Sequence, residues 1–191
     1  MKIDRDVPVN IVTPKDPVEA EVVENRLVTD SSSPHYTRHW VFDVSGSELE
    51  GSMQSGQAFG VVPDWDHHID YNKTTIKSDD KKIRLYSNAS PKWGEYGNGE
   101  CYSTTVKRVF DEHEDDGTTF LGVDSNYMCD MDEGDPVQIT GPTGRDFLLP
   151  DEDALDDHNY VFFATGTGIA PFRGMTKELL EQDISNPIHL V

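Results

Sequence analysis

Arg84, Tyr86 and Ser87 close a short β-prone run just before the turn Ala89-Ser90-Pro91, and they carry the most specific chemistry in the sequence. A guanidinium pairs bidentately with phosphate, a phenol ring stacks on a planar heterocycle, and a hydroxyl hydrogen-bonds to a ring nitrogen. The segment suits a flat, anionic cofactor. A second candidate is Thr165-Gly166-Thr167-Gly168, which follows the apolar run Tyr160 to Ala164 and precedes Pro171. That order predicts strand, Gly-rich turn and helix. The spacing falls short of Gly-x-Gly-x-x-Gly, so by itself it describes a tight strand-to-helix turn equally well. Ser125 reads as the N-cap of a short helix, Asn126 to Met131, whose first amides would meet phosphate oxygens. Asp111 to Gly117 fails the calcium-loop pattern, because Asp116 stands where that loop needs Gly, and reads as a hairpin tip. Asp64-Trp65-Asp66-His67-His68-Ile69-Asp70 offers ligand-type side chains, but adjacent histidines in a loop point apart more often than they chelate. No metal site is expected.

These residues must be placed by β-structure. Val22 to Val28, His39 to Val44, Ala58 to Val62, Ile83 to Tyr86, Tyr102 to Phe110 and Val137 to Thr140 are short runs punctuated by Gly, Pro, Asp or Ser. Such runs with no long helix between them predict an antiparallel barrel or sandwich. Residues 1–18 read as an extended arm, 19–150 as the β-domain and 151–158 as an acidic linker. Residues 159–191 read as one strand–helix–strand unit of a parallel sheet, with Tyr160 to Ala164 as a strand buried on both faces. Phe172, Met175 and Leu179 form the apolar stripe of its helix. At about 30 residues per unit there is room for one, so a complete dinucleotide domain is not expected, and the unit must lean on the barrel, find another chain or remain mobile.

Lys and Arg total 16 against 36 Asp and Glu, a formal charge of −20, and a field of that sign repels nucleic acid and anionic membrane surfaces. The acidity fits either a highly soluble surface or adaptation to high salt. No apolar run approaches the roughly 20 residues of a membrane span. Two cysteines, Cys101 and Cys129, are too few for a disulfide framework, which predicts buried free thiols in a reducing, cytoplasmic setting.

Seven segments in order resemble the ferredoxin–NADP reductase family of flavoproteins: Asn25 to Val28, Ser55 to Pro63, Arg84 to Ser87, Thr105 to Arg108, Gly122 to Asp130, Thr140 to Pro142 and Ala164 to Arg173. Close variants also occur in the reductase half of the benzoyl-CoA epoxidase flavoprotein, and looser ones in diflavin reductases. The resemblance implies a mainly β chain: a six-stranded antiparallel Greek-key FAD-binding barrel, followed by the first βαβ unit of an α/β nucleotide-binding domain. It implies that Arg84 holds the FAD pyrophosphate, that Tyr86 stacks on the isoalloxazine and that Ser87 lies beside the flavin N5, with Leu85 in the same motif. Thr105, Val106 and Lys107 would line the adenosine side, and Val123, Asp124 and Ser125 would meet the phosphates. Thr165 would stand near flavin and nicotinamide, with Gly166, Thr167 and Gly168 facing NADP(H) or NAD(H). The partner implied is a small one-electron carrier, ferredoxin or flavodoxin; the alternative is an FAD-binding module inactive alone and completed elsewhere. Three features depart from the family pattern. Asp124 would repel a pyrophosphate unless it turns to solvent. Asp111 replaces a Tyr that stacks on adenine, so that stack is lost or moved to a neighbour such as Phe110. The strong negative charge opposes docking of acidic ferredoxins.

Overall fold

The computed structural model describes residues 6–63, 69–71, 74–76, 83–112 and 114–191. Its strands are β1 (Val18–Leu27), β2 (Thr37–Asp43), β3 (Ala58–Val62), β4 (Ile69–Tyr71), β5 (Thr74–Ile76), β6 (Arg84–Ser87), β7 (Cys101–Lys107), β8 (Phe110–Glu112), β9 (Thr119–Leu121), β10 (Pro136–Thr143), β11 (Tyr160–Phe162) and β12 (Ile188–Leu190). The helices are α1 (Val123–Asp130) and α2 (Ala170–Glu181). The segment Asp64 to His68, raised above as a source of metal-type ligands, lies outside the described residues.

One six-stranded antiparallel sheet has the order β6-β3-β10-β1-β2-β7. The edge strands meet: Ala89 N, just past β6, donates to Ser103 O at 2.8 Å, and Thr104 Oγ1 donates to Ser87 O at 2.8 Å. The sheet thus closes into a barrel, with β10 inserted between β1 and β3 in Greek-key fashion. Its interior is filled by Trp40, Phe42, Phe59 and Tyr102 with Val22, Val61, Met53 and Ile139. Full burial of each such aliphatic or aromatic side chain contributes about 1.5–3 kcal/mol. Helix α1 seals one end with Met128 and Cys129. The amino-terminal arm lies along β10, where Val12 bridges Gly141 and is buried. The run expected as one strand to Phe110 breaks at Arg108-Val109, and β8 and β9 form a hairpin around the acidic tip.

Beyond β10 the chain forms a parallel pair, β11 with β12, joined through α2. Phe172, Met175 and Leu179 do pack inward, against Leu149, Leu155, Tyr160 and Phe162. Two expectations change. The acidic linker is a 3-10 turn, Glu152–Asp157, whose Leu155 enters that small core. The strand is covered on one face only: Val161 is 50% exposed and Phe163 71%, because α2 is the single helix laid on the pair.

Two glycines set how this unit meets the barrel. A Cβ on Gly56 would stand 1.9 Å from Phe147 O and 2.5 Å from Met175 Cε, and one on Gly174 would stand 2.3 Å from Ser90 O. Only hydrogen at both positions permits that approach.

Candidate functional site

Strand alternation puts Arg84 and Tyr86 on one face of β6 and Leu85 and Ser87 on the other, which is exposed. Tyr86 packs on the barrel core with its ring 6.4 Å from Phe59. Burial raises its phenol pKa far above the usual value; the Asp124 carboxylate adds to the rise and Arg84 opposes it. Arg84, Tyr86 and the start of α1 therefore share one neighbourhood.

The helix begins earlier than the sequence predicts. Gly122 is the cap, with no side-chain cap hydrogen bond, and Asn126 N already donates to Gly122 O at 3.1 Å. Ser125 is inside the first turn, where its Oγ donates to Gly122 O (3.2 Å) and accepts from Val109 N (3.1 Å). Its hydroxyl fastens the exit of β7 to the helix, so toward a phosphate Ser125 offers its backbone amide. First-turn amides have no intrahelical acceptors and favour anions. Asp124 does not turn to solvent: it is 2% exposed, in that same turn. Val123 beside it is half-buried.

Asn126 Nδ2 donates to Val109 O (3.0 Å) and Gly122 O (2.7 Å), and Arg108 donates to Asn126 Oδ1 (3.0 Å) and pairs with Asp130. At the other end Asn25 Nδ2 donates to Met128 O (2.9 Å) and Met131 O (2.6 Å). The motif residues Asn25, Arg108 and Asn126 thus hold α1 against the barrel. Along β7, Thr105 is half-buried and Lys107 exposed, but Val106 belongs to the barrel core, so only its backbone can line a ligand. Phe110, the proposed substitute stacking ring, lies exposed on the β8–β9 hairpin.

Ser87 stands at the seam with β7, and the chain leaving it runs to α2. Thr165, Gly166 and Gly168 are exposed, Thr167 is half-buried, and Gly166–Ile169 forms a 3-10 turn leading into α2. Arg173, in the first turns of α2, donates to Ala89 O at 2.9 Å and to both carboxylate oxygens of Glu95. Arg173 thus ties the helix that follows the Gly-rich turn to the segment just past Ser87, and the start of α1 lies by Arg84 and Tyr86. The Glu95–Arg173 pairing and the Glu178–Lys92 contact are not visible in the sequence, because they span 78 and 86 residues and obey no local period. Both thiols are buried, and burial pushes each up to about 11. Among the described residues no His, Cys, Asp or Glu group could hold a metal, and no helix is long and apolar enough to cross a membrane.

The barrel and the βαβ unit after it have the fold seen in solved ferredoxin-NADP+ reductases, to which the chain is similar. Ferredoxin-NADP+ reductase from Plasmodium falciparum superposes with a TM-score of 0.73 at 25% identity, covering 95% of this chain and 60% of that one. In sequence the chain is 34% identical over 177 residues to the ferredoxin–NADP reductase of a Spirulina species, covering 93% of this chain and 56% of the relative. It is 38% identical over 178 residues to that of Synechocystis, covering 93% and 40%. The chain spans about half the length of the curated relatives it matches. No family model matches it.

Proposed function

We propose that this chain is the flavin-binding portion of an FAD-dependent oxidoreductase that moves electrons between NADP(H) and a small one-electron carrier, ferredoxin or flavodoxin. The observation that carries this reading is the convergence of Arg84 and half-buried Tyr86 with the first turn of α1, in a chain similar to ferredoxin–NADP reductases along 93% of its length. The donor set fits FAD. A cation and a helix start answer a diphosphate, a ring at the edge of the core answers a planar heterocycle, and outward Thr105 and Lys107 answer an adenosine. Buried Asp124 lies in the same first turn, and a carboxylate there opposes a bound diphosphate.

FAD held here would supply the chemistry, hydride acceptance followed by one-electron release. The protein's share is binding and orientation. Arg84 and the amides of Val123, Asp124 and Ser125 would hold the pyrophosphate, Tyr86 would cover the ring, and the Ser87 hydroxyl would hydrogen-bond at the reactive nitrogen. The Thr165–Gly168 turn would face the nicotinamide nucleotide. The choice of NADP over NAD is supported by the names of the relatives and by a Plasmodium falciparum neighbour solved with 2'P-AMP. A second reading, an FAD-binding module completed by further chain, is favoured by one observation: the bare face of β11 at Val161 and Phe163.

FAD titration tests the site. Arg84→Ala should weaken FAD binding by about 1.5–3 kcal/mol, the range for a charge-assisted hydrogen bond, while Ser87→Ala leaves affinity nearly intact and slows NADPH-dependent ferricyanide reduction. Equal affinity for FMN and FAD would remove the adenosine half of the site. Unchanged affinity in Arg84→Ala would remove the pyrophosphate role.

A further inference from the structure

Helix α2 sends two ionisable side chains, Arg173 and Glu178, into its contact with the barrel. Arg173 grips Glu95 as a fork, Nη2 to Oε1 at 2.6 Å and Nη1 to Oε2 at 2.8 Å. Glu95 Oε2 also accepts from Ser103 Oγ at 2.8 Å and Ser90 Oγ at 3.1 Å, and those two hydroxyls lie 2.9 Å apart. His39 Nε2, on β2, is 3.8 Å from Glu95 Oε1, and the Glu95 side chain is 8% exposed. The group joins β2, β7, the segment after β6 and α2 at one point.

The Arg173 side chain is 35% exposed and Glu95 is buried; such a pair adds little net stability over well-packed apolar groups, but it tolerates little displacement, because breaking it strands the Glu95 charge. It is therefore a device for position. Its place in the chain gives the position a use: Arg173 bonds Ala89, two residues past Ser87, and follows Gly168 by five residues. The Gly174 contact with Ser90 O leaves α2 no room to slide inward.

We propose that Arg173 and Glu95 form a positioning lock that fixes where the Thr165–Gly168 turn stands relative to Ser87. Neither touches cofactor or substrate; both act through α2 and the segment 88–95. What the lock serves, hydride delivery, rests on the flavin reading above, whereas its existence does not.

The full 191-residue chain carrying Arg173→Met, Arg173→Lys or Glu95→Gln provides the test. In Arg173→Met, amides of 166–181 should exchange at least about tenfold faster while β3 and β10 keep their protection, since the opening is local. Arg173→Lys, which keeps the charge and loses the fork, should fall between. His39 supplies a readout that simple packing would not move. Burial and then Arg173 hold its imidazole below the usual value, while Glu95 and Glu24 pull it up and Arg26 pulls it down. Its NMR titration should shift up in Arg173→Met and down in Glu95→Gln. FAD affinity should stay within about twofold, as the pyrophosphate side is remote, and flavin reduction by NADPH should slow at least about tenfold. Unchanged exchange in 166–181, or a His39 titration that ignores both substitutions, overturns the lock even if FAD binds normally. A wild-type chain that takes up no FAD overturns the flavin reading, and exchange and titration still judge the lock. If Arg173→Met loses barrel protection as well, Arg173→Lys and Glu95→Gln decide.

Discussion

The barrel packs Trp40, Phe42, Phe59 and Tyr102 ring against ring, at centroid distances of 5.3, 4.5 and 6.5 Å from Phe42. The βαβ unit has a core of a few side chains around Leu179 and Phe162, and it is fastened to the barrel by Arg173 and Glu178 as well as by apolar contact. Apolar burial is indifferent to pH and tolerant of small shifts, whereas hydrogen-bonded charges are neither. On the proposed reading, the contrast separates the part that would hold the flavin from the part that would be aimed at it.

The sharpest way to break the contrast is to cut each core once. Phe42→Ala should cost about 3–5 kcal/mol and lower the midpoint of whole-chain unfolding. Leu179→Ala should cost about 2–5 kcal/mol but appear as faster amide exchange confined to 160–190. If both variants lower one cooperative transition equally, the two cores are a single unit and the distinction fails.

Acid should act on the interface first. Burial alone would raise the Glu95 carboxyl, but hydrogen bonds from Arg173 and Ser103 and the Arg173 charge outweigh it and hold the group at about 2, against an ordinary 4.5. A carboxyl lowered on folding contributes stability that is fully present above its ordinary value and is lost as pH falls toward the folded one. Between pH 4.5 and 2 the expected loss is about 3 kcal/mol, read from denaturant unfolding at stepped pH. His39, also lowered on folding, acts with the same sign from its ordinary 6.5 downward. Glu95→Gln should flatten the acid slope; a slope unchanged by that substitution would place the acid-sensitive group elsewhere.

Gly174→Ala sharpens the same comparison. A better helix former is introduced, yet its methyl meets Ser90 O, so a net cost of about 1–3 kcal/mol is expected, with exchange rising in α2 and not in β10. The smallest effect belongs to the barrel side. Asn25→Ala removes the donor to Met128 O and Met131 O and should cost about 1 kcal/mol, loosening the end of α1 in exchange experiments.

The strand runs were legible because Gly, Pro and Asp mark their ends, and Ala58–Val62 is found where the sequence puts it. The stripe Phe172, Met175 and Leu179 was legible for the same reason, a period that survives folding. The start of α1 was not. Its cap is Gly122, which has no side chain to announce it, while Ser125 has the residue type of a cap but a hydroxyl engaged by Val109 and Gly122. Tyr160 to Ala164 looked buried on both faces because a sequence of apolar residues does not say how many helices cover it. That Arg84 and Tyr86 share one face of β6 was readable from strand alternation. The acid group beside them, Asp124, was visible as a letter, but its burial follows from the packing of α1 on the barrel.

With pKa values near 11, Cys101 and Cys129 hold only about one part in ten thousand of thiolate at pH 7, and both are sheltered from reagents. For labelling chemistry the native chain is therefore silent, and a thiol added at the surface is the only one a maleimide meets quickly. Ser45→Cys on the barrel and Gln182→Cys just past α2, both exposed positions, would carry a pair of probes without removing either native cysteine. The distance between those probes, followed while pH falls or Arg173 is replaced, becomes a direct ruler for the seam between the two parts of the molecule.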